Sequence, residues 1–89
     1  GYSESNRSQY VANAVDWDEK RGLLKIDVKN RFTVGDKLEI LHPTGNLDWT
    51  LDAMQDKDGR SVQVAPGSGY FVWVALPERF KGAYIARYI

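Results

Sequence analysis

Leu24, Ile26 and Val28 alternate with Lys25, Asp27 and Lys29 in the run LLKIDVKN, residues 23–30. A period of two is the signature of a strand with one buried and one wet face. The same signature returns along the chain in short runs, and no run carries a helical period. YVANAV (10–15) reads as a first strand, closed by a hairpin loop at Asp16, Asp18 and Gly22. DKLEILHP follows, with Leu38 and Ile40 inward, and then NLDWTLDAM, with Leu47, Trp49 and Leu51 set against Asp48, Thr50 and Asp52. Asp58-Gly59 suits a positive-φ hairpin turn before SVQVA (61–65). PGSG turns the chain into YFVWVAL (70–76), and PERFKG leads to a last strand, AYIARYI. About seven short strands at intervals of roughly 8–12 residues predict an all-β fold, a single small β-barrel, closed or partly open.

With 89 residues the chain holds one core, expected over residues 10–89, and the polar, serine-rich start (1–9) reads as a linker or arm. It contains no cysteine, which excludes disulfides, thiolate zinc sites, cysteine-held clusters and cysteine nucleophiles within this chain. No apolar run approaches the roughly 18 residues of a membrane span, so no membrane partner is expected. Twelve Lys/Arg balance twelve Asp/Glu. Nucleic-acid binding driven by bulk charge is therefore excluded, and any such contact must come from a local patch.

The stretch NRFTVGDKLEILHPTGN (30–46) packs a turn, a strand and a second turn together. A strand entering a small barrel bends sharply. Gly35 tolerates positive φ at such a corner, and Asp36 can bond its neighbouring backbone. Phe32 and Val34 are expected at the barrel mouth. Pro43 ends the ladder by removing a donor, and Gly45 with Asn46 reverses the chain.

The run VKNRFTVGDKLEILHPTGN, the acidic DKDG turn, the alternating SVQVAPGSGYFVWV and the final ARYI resemble the C-terminal domain of the U32 peptidase family, the collagenase-like proteases. The resemblance covers about Tyr10 to Ile89 and is most specific from Lys29 to Gly45. The Gly-Asp corner is also similar to that of translation elongation factor second-domain barrels. In the family this module follows a larger catalytic domain that carries the cysteines and the family signature. Members similar to this chain are associated with hydroxylation of the wobble uridine of tRNA, with prephenate and an iron–sulfur cluster implicated in the catalytic part. The resemblance thus implies a cytoplasmic accessory domain, monomeric when isolated, with the catalytic N-terminal domain of the same parent protein and tRNA as partners. It assigns this chain no enzymatic activity and no cofactor.

The residues give catalysis no independent support. His42 is the single histidine, and Ser-His-Asp sets drawn with Ser61 or Ser68 rest on composition alone, whereas triads are defined by geometry. No metal-ligand spacing is present, since DKD lacks the spacing and the glutamate of a calcium loop. Asp48, Asp52, Asp56 and Asp58 read as a solvated edge that discourages edge pairing.

Binding is better supported. Lys25, Lys29, Arg31 and Lys37 make the segment around the second strand locally basic and are the candidate RNA contacts. Arg79, Lys81 and Arg87 alternate with Phe80, Tyr84 and Tyr88, a mixture in which rings can stack bases while cations meet phosphates. In YFVWVAL, Tyr70, Val72, Val74 and Leu76 can fill the barrel, which turns Phe71 and Trp73 outward as candidate interdomain docking residues. Three roles follow as expectations. They are RNA positioning, structural docking on the catalytic domain without substrate contact, and contact with a protein substrate as a protease-associated domain.

Overall fold

A computed structural model describes residues 8–88 of the chain. The strands are β1 (Ser8–Asp18), β2 (Leu23–Val28), β3 (Phe32–Thr33), β4 (Lys37–Leu41), β5 (Leu47–Thr50), β6 (Met54–Gln55), β7 (Ser61–Val62), β8 (Val64–Ala65), β9 (Tyr70–Val74) and β10 (Tyr84–Tyr88). One 3-10 turn, Glu78–Phe80, separates β9 from β10. Eight strands form one sheet in the order β5-β4-β10-β1-β2-β9-β6-β7, while β3 and β8 make a separate two-stranded ladder. Residue pairs on all the ladders are antiparallel.

The sheet curls because its inner face supplies one continuous core. Val11, Leu24, Ile26, Val28, Leu38, Ile40, Val72, Val74 and Ile85 are buried in a single cluster with Phe32, Leu51, Met54, Leu76 and Phe80. Strands from one end of the sheet to the other can share such a cluster only if the sheet wraps around it. No polar or charged residue is buried among the described residues. The long β1 assists the wrap by serving two partners, β10 along its first half and β2 along its second. Its register shifts between Tyr10 and Ala12 on one side and between Ala14 and Asp16 on the other. Such bulges bend a strand and increase its twist.

The result is a partly open barrel, with ten short strands among the described residues in place of about seven. The extra breaks come from corners. NLDWTLDAM divides into β5 and β6 at Leu51, whose N–H donates to Asp36 O at 3.0 Å and whose carbonyl accepts Gly35 N–H at 2.7 Å. SVQVA divides into β7 and β8 because Val64 and Ala65 leave β6 and pair with β3. The ladder they form continues through Val34 N–H to Gln63 O at 2.9 Å. β1 begins at Ser8, and the rest of the arm expected over residues 1–9 lies outside the described residues.

At the corner, Asp36 N–H donates to Thr33 O at 3.1 Å, and Gly35 holds φ of +100°. Gly35 thus occupies the third position of a β-turn, where a type II turn requires positive φ. The Asp36 carboxylate closes the turn by accepting Thr33 N–H at 2.8 Å. The later turn runs from His42 through Pro43 to Gly45, whose N–H donates to His42 O at 2.9 Å and whose φ is +135°.

Candidate functional site

β2 and β9 pair with Lys25 opposite Trp73 and Asp27 opposite Phe71. Because Ile26, Val72 and Val74 fill the core, these four side chains share the outer face. Phe71 is 41% exposed, a large value for an aromatic ring on a sheet. The Lys25 ammonium lies 4.4 Å from the Phe71 ring centre and 5.8 Å from that of Trp73. A cation over two rings is attracted by their quadrupoles, by roughly 0.5–1 kcal/mol at an exposed site.

A groove of about 460 Å³ runs beside these rings, with Tyr70, Phe71 and Trp73 as its apolar lining and Asp56, Lys57 and Asp58 on the opposing turn. A second groove of about 350 Å³ lies on the other flank, between Trp17 and Trp73. Trp73 and Lys25 border both. The face is mixed in charge. Asp27 takes Lys29 in an ion pair at 3.1 Å, and both grooves have carboxylates on their rims.

Arg21 organises this face from over the Trp73 ring. Its guanidinium stacks 4.5 Å from the Trp73 ring and donates to Asp56 O at 3.0 Å and to Lys57 O. Its Nε also approaches Asp18 Oδ2 at 3.5 Å. These contacts tie the β1–β2 hairpin to the 56–60 turn and leave few donors for a ligand. The turn itself is built on Asp56, whose carboxylate accepts the N–H groups of Asp58 at 2.9 Å and Arg60 at 3.0 Å. The Arg60 bond, more than any other influence, holds the Asp56 carboxyl below its usual range.

The four candidate RNA contacts do not share one surface. Lys25 and Lys29 lie on and just beyond the outer face of β2. Arg31 borders a third cavity, of about 400 Å³, together with Arg87. Lys37 starts β4 and lies 5.5 Å from the Tyr88 ring centre. Phe71 and Trp73, expected as a docking pair, stand on the same face as Lys25, so two separately reasoned sites meet there.

Several other side chains have structural duties. Phe80, grouped by sequence with rings free to stack bases, is buried in the core. Its ring meets His42 edge-on at 6.0 Å. His42 Nδ1 lies 3.1 Å from the N–H of Thr44, which donates to it, so Nε2 carries the proton and donates to Lys81 O at 3.0 Å. The histidine thus staples the β4–β5 turn to the segment before β10. Asp48 and Asp56 are likewise not mere solvated charges. Asp48 accepts the Tyr88 hydroxyl at 2.8 Å, which pushes that phenol up to about 12. Among the described residues no cluster of three His, Asp or Glu side chains is arranged to hold a metal ion. No helix among them is long and apolar enough to cross a membrane.

Comparison with known proteins gives a consistent picture. The chain is 42% identical over 78 residues to tRNA hydroxylation protein P of Escherichia coli (strain K12), covering 88% of this chain and 17% of that protein. It is 33% identical over 78 residues to the protein of the same name from Haemophilus influenzae, with the same coverage. The chain therefore spans about a sixth of the length of these curated relatives. Among solved structures, the C-terminal domain of a U32-peptidase-type protein from Geobacillus thermoleovorans superimposes with a TM-score of 0.77 at 18% identity, covering 91% of this chain and 93% of that one. Its selenomethionine variant gives 0.75 at 19% identity, covering 86% and 96%. At such identities the likeness concerns the fold. Residues 6–87 match the family described as the peptidase family U32 C-terminal domain, and the chain belongs to that family.

Proposed function

We propose that this domain is a non-catalytic accessory module of a tRNA-hydroxylation protein, and that it helps position the tRNA through the outer face of β2 and β9. The observation that carries this reading is the Lys25 ammonium set over the exposed Phe71 ring and beside Trp73, on the edge of an open groove. An unpaired base can stack on such rings while Lys25 and Lys29 meet the flanking phosphates. The names of the relatives, which share up to 42% of aligned residues with this chain, supply the substrate class. Acidic rims on both grooves make the contact weak, as suits a module that acts beside a larger catalytic part.

A second reading uses the same face for docking on the catalytic domain of the parent protein. It is favoured by the commitment of Arg21 to backbone carbonyls and by the mixed charge around the rings, which suit a protein surface. Salt dependence separates the two. With two phosphate contacts, log affinity for single-stranded RNA should fall with log salt at a slope of about −1.4, from roughly −0.7 per contact. Joint Lys25→Glu and Lys29→Glu substitution should abolish binding at this face. RNA shifts at Phe71 and Trp73 that survive this double substitution, or the absence of binding at this face by the parent domain at low salt, favour docking.

A further inference from the structure

Arg87 occupies a position where the strand pattern calls for an apolar side chain. On β10 it is two residues from buried Ile85, and in the ladder with β4 it lies opposite buried Leu38, as Ile85 lies opposite buried Ile40. It therefore shares the inward face of the sheet, near the barrel end where Phe32 and Thr33 form β3. Its Nε is shielded from water and has no hydrogen-bond partner among the described residues. One terminal nitrogen reaches Gln9 Oε1 only at 3.5 Å, the limit of a hydrogen bond. Among the described residues no carboxylate forms an ion pair with it. The contrast with Arg21, whose donors are spent on carbonyls, is direct.

A half-buried cation with no counter-ion among the described residues has lost hydration and gained little in return. The missing partner has a place. Arg87 and the exposed Arg31 both line the cavity of about 400 Å³, with Asn30 and Thr33 beside them. The single carboxylate in that lining, Asp36, is engaged by Thr33 N–H at 2.8 Å. One guanidinium fork matches the two oxygens of a carboxylate, whereas two forks on one cavity match a tetrahedral centre bearing more oxygens.

We infer that this barrel-mouth cavity is a binding site for a phosphate group, held by Arg31 and Arg87. The phosphate comes either from an RNA backbone or from free phosphate. The inference does not rest on the Lys25–Trp73 reading, since the two sites use different residues and different strands. Arg87 is the principal anchor, and Arg31 closes over the ligand from the β2–β3 loop.

The test is a titration of the ¹⁵N-labelled domain with inorganic phosphate, against sodium chloride at matched ionic strength, and separately with a short single-stranded RNA. Phosphate should shift the Arg87 Nε–Hε signal and the amides of Asn30 to Thr33 in a saturable way, and chloride should not. Arg31→Gln, at an exposed position, should weaken the response several-fold, and Arg87→Gln should remove it. If Arg87→Gln does not fold, Arg31→Gln and Arg87→Lys decide the matter. Arg87→Lys keeps the charge without the fork and should retain only a weakened response. RNA shifts at the same signals identify a backbone phosphate as the ligand, while a response to phosphate alone identifies the free ion. No phosphate-specific shift in the parent domain, or an undiminished shift in Arg31→Gln, overturns the proposal, whatever RNA does at Lys25.

Discussion

Replacing Gly35 by alanine isolates the energetic role of the corner that joins β3 to β4. An added Cβ would meet no heavy atom beyond its own chain neighbours within 4 Å, so clash with the rest of the fold contributes nothing. The cost is conformational, because Gly35 holds φ of +100°, which L side chains rarely adopt. A residue held in such a region costs about 1–3 kcal/mol. Against this, alanine restricts the unfolded chain and recovers about 0.4–1 kcal/mol. The net expectation is a destabilisation of about 0.5–2 kcal/mol. A domain of this size has about 4–13 kcal/mol in total, so it should remain folded. Its melting temperature should fall by roughly 4–8 °C per kcal/mol. Urea unfolding should show a lower midpoint at unchanged slope, since the surface exposed on unfolding is the same. A neutral or stabilising result would mean that the corner relaxes out of its positive φ, and the argument that Gly35 fixes the β3–β4 turn would fail.

Trp73→Ala should cost the domain less than the roughly 3–5 kcal/mol of a core aromatic truncation, because the ring lies on the outer face under Arg21 rather than in the barrel. Outright unfolding in a thermal melt would contradict that placement. Tyr88 provides a pH signature. Its hydroxyl donates to Asp48, and the folded pKa is raised from 10.0 to about 12. The folded state then holds the proton more tightly than the unfolded one, so the stabilisation is complete below about pH 10 and is lost as pH rises towards about 12. Ultraviolet titration should show one late tyrosine that titrates at lower pH in Asp48→Asn, and an unchanged titration curve would refute the contact.

The inner face of the fold was legible in the sequence because alternation is a strong signal wherever one face is dry. Leu24, Ile26 and Val28 follow it, as do Leu38 and Ile40 and the set Val72, Val74 and Leu76. The same rule turned Phe71 and Trp73 outward. Breaks and bends were less legible. A bulge adds one residue without a compositional mark, so nothing in YVANAV announces the shifts that bend β1. The division of SVQVA between two ladders depends on β3, a two-residue strand too short to carry a period. Phe80 was misplaced for a related reason. It sits in a 3-10 turn, outside any strand pattern, and reaches the core from there. At the candidate sites, sequence grouped Lys25, Lys29, Arg31 and Lys37 by proximity along the chain, whereas the turns after β2 and β3 send Arg31 and Lys37 elsewhere. Arg31 and Arg87 line one cavity although 56 positions, 87 minus 31, separate them, and the pairing of β10 with both β1 and β4 brings them near one another.

The central functional claim is that the outer face of β2 and β9 touches RNA, and a titration of the ¹⁵N-labelled domain with tRNA at low salt tests it most directly. The account predicts progressive shifts at the amides of Lys25, Asp27, Phe71 and Trp73 and at the Trp73 indole N–H. These shifts should weaken as salt is raised and vanish in the Lys25→Glu, Lys29→Glu double variant. A spectrum unmoved at this face by excess tRNA would contradict the claim and leave docking as the role of Phe71 and Trp73.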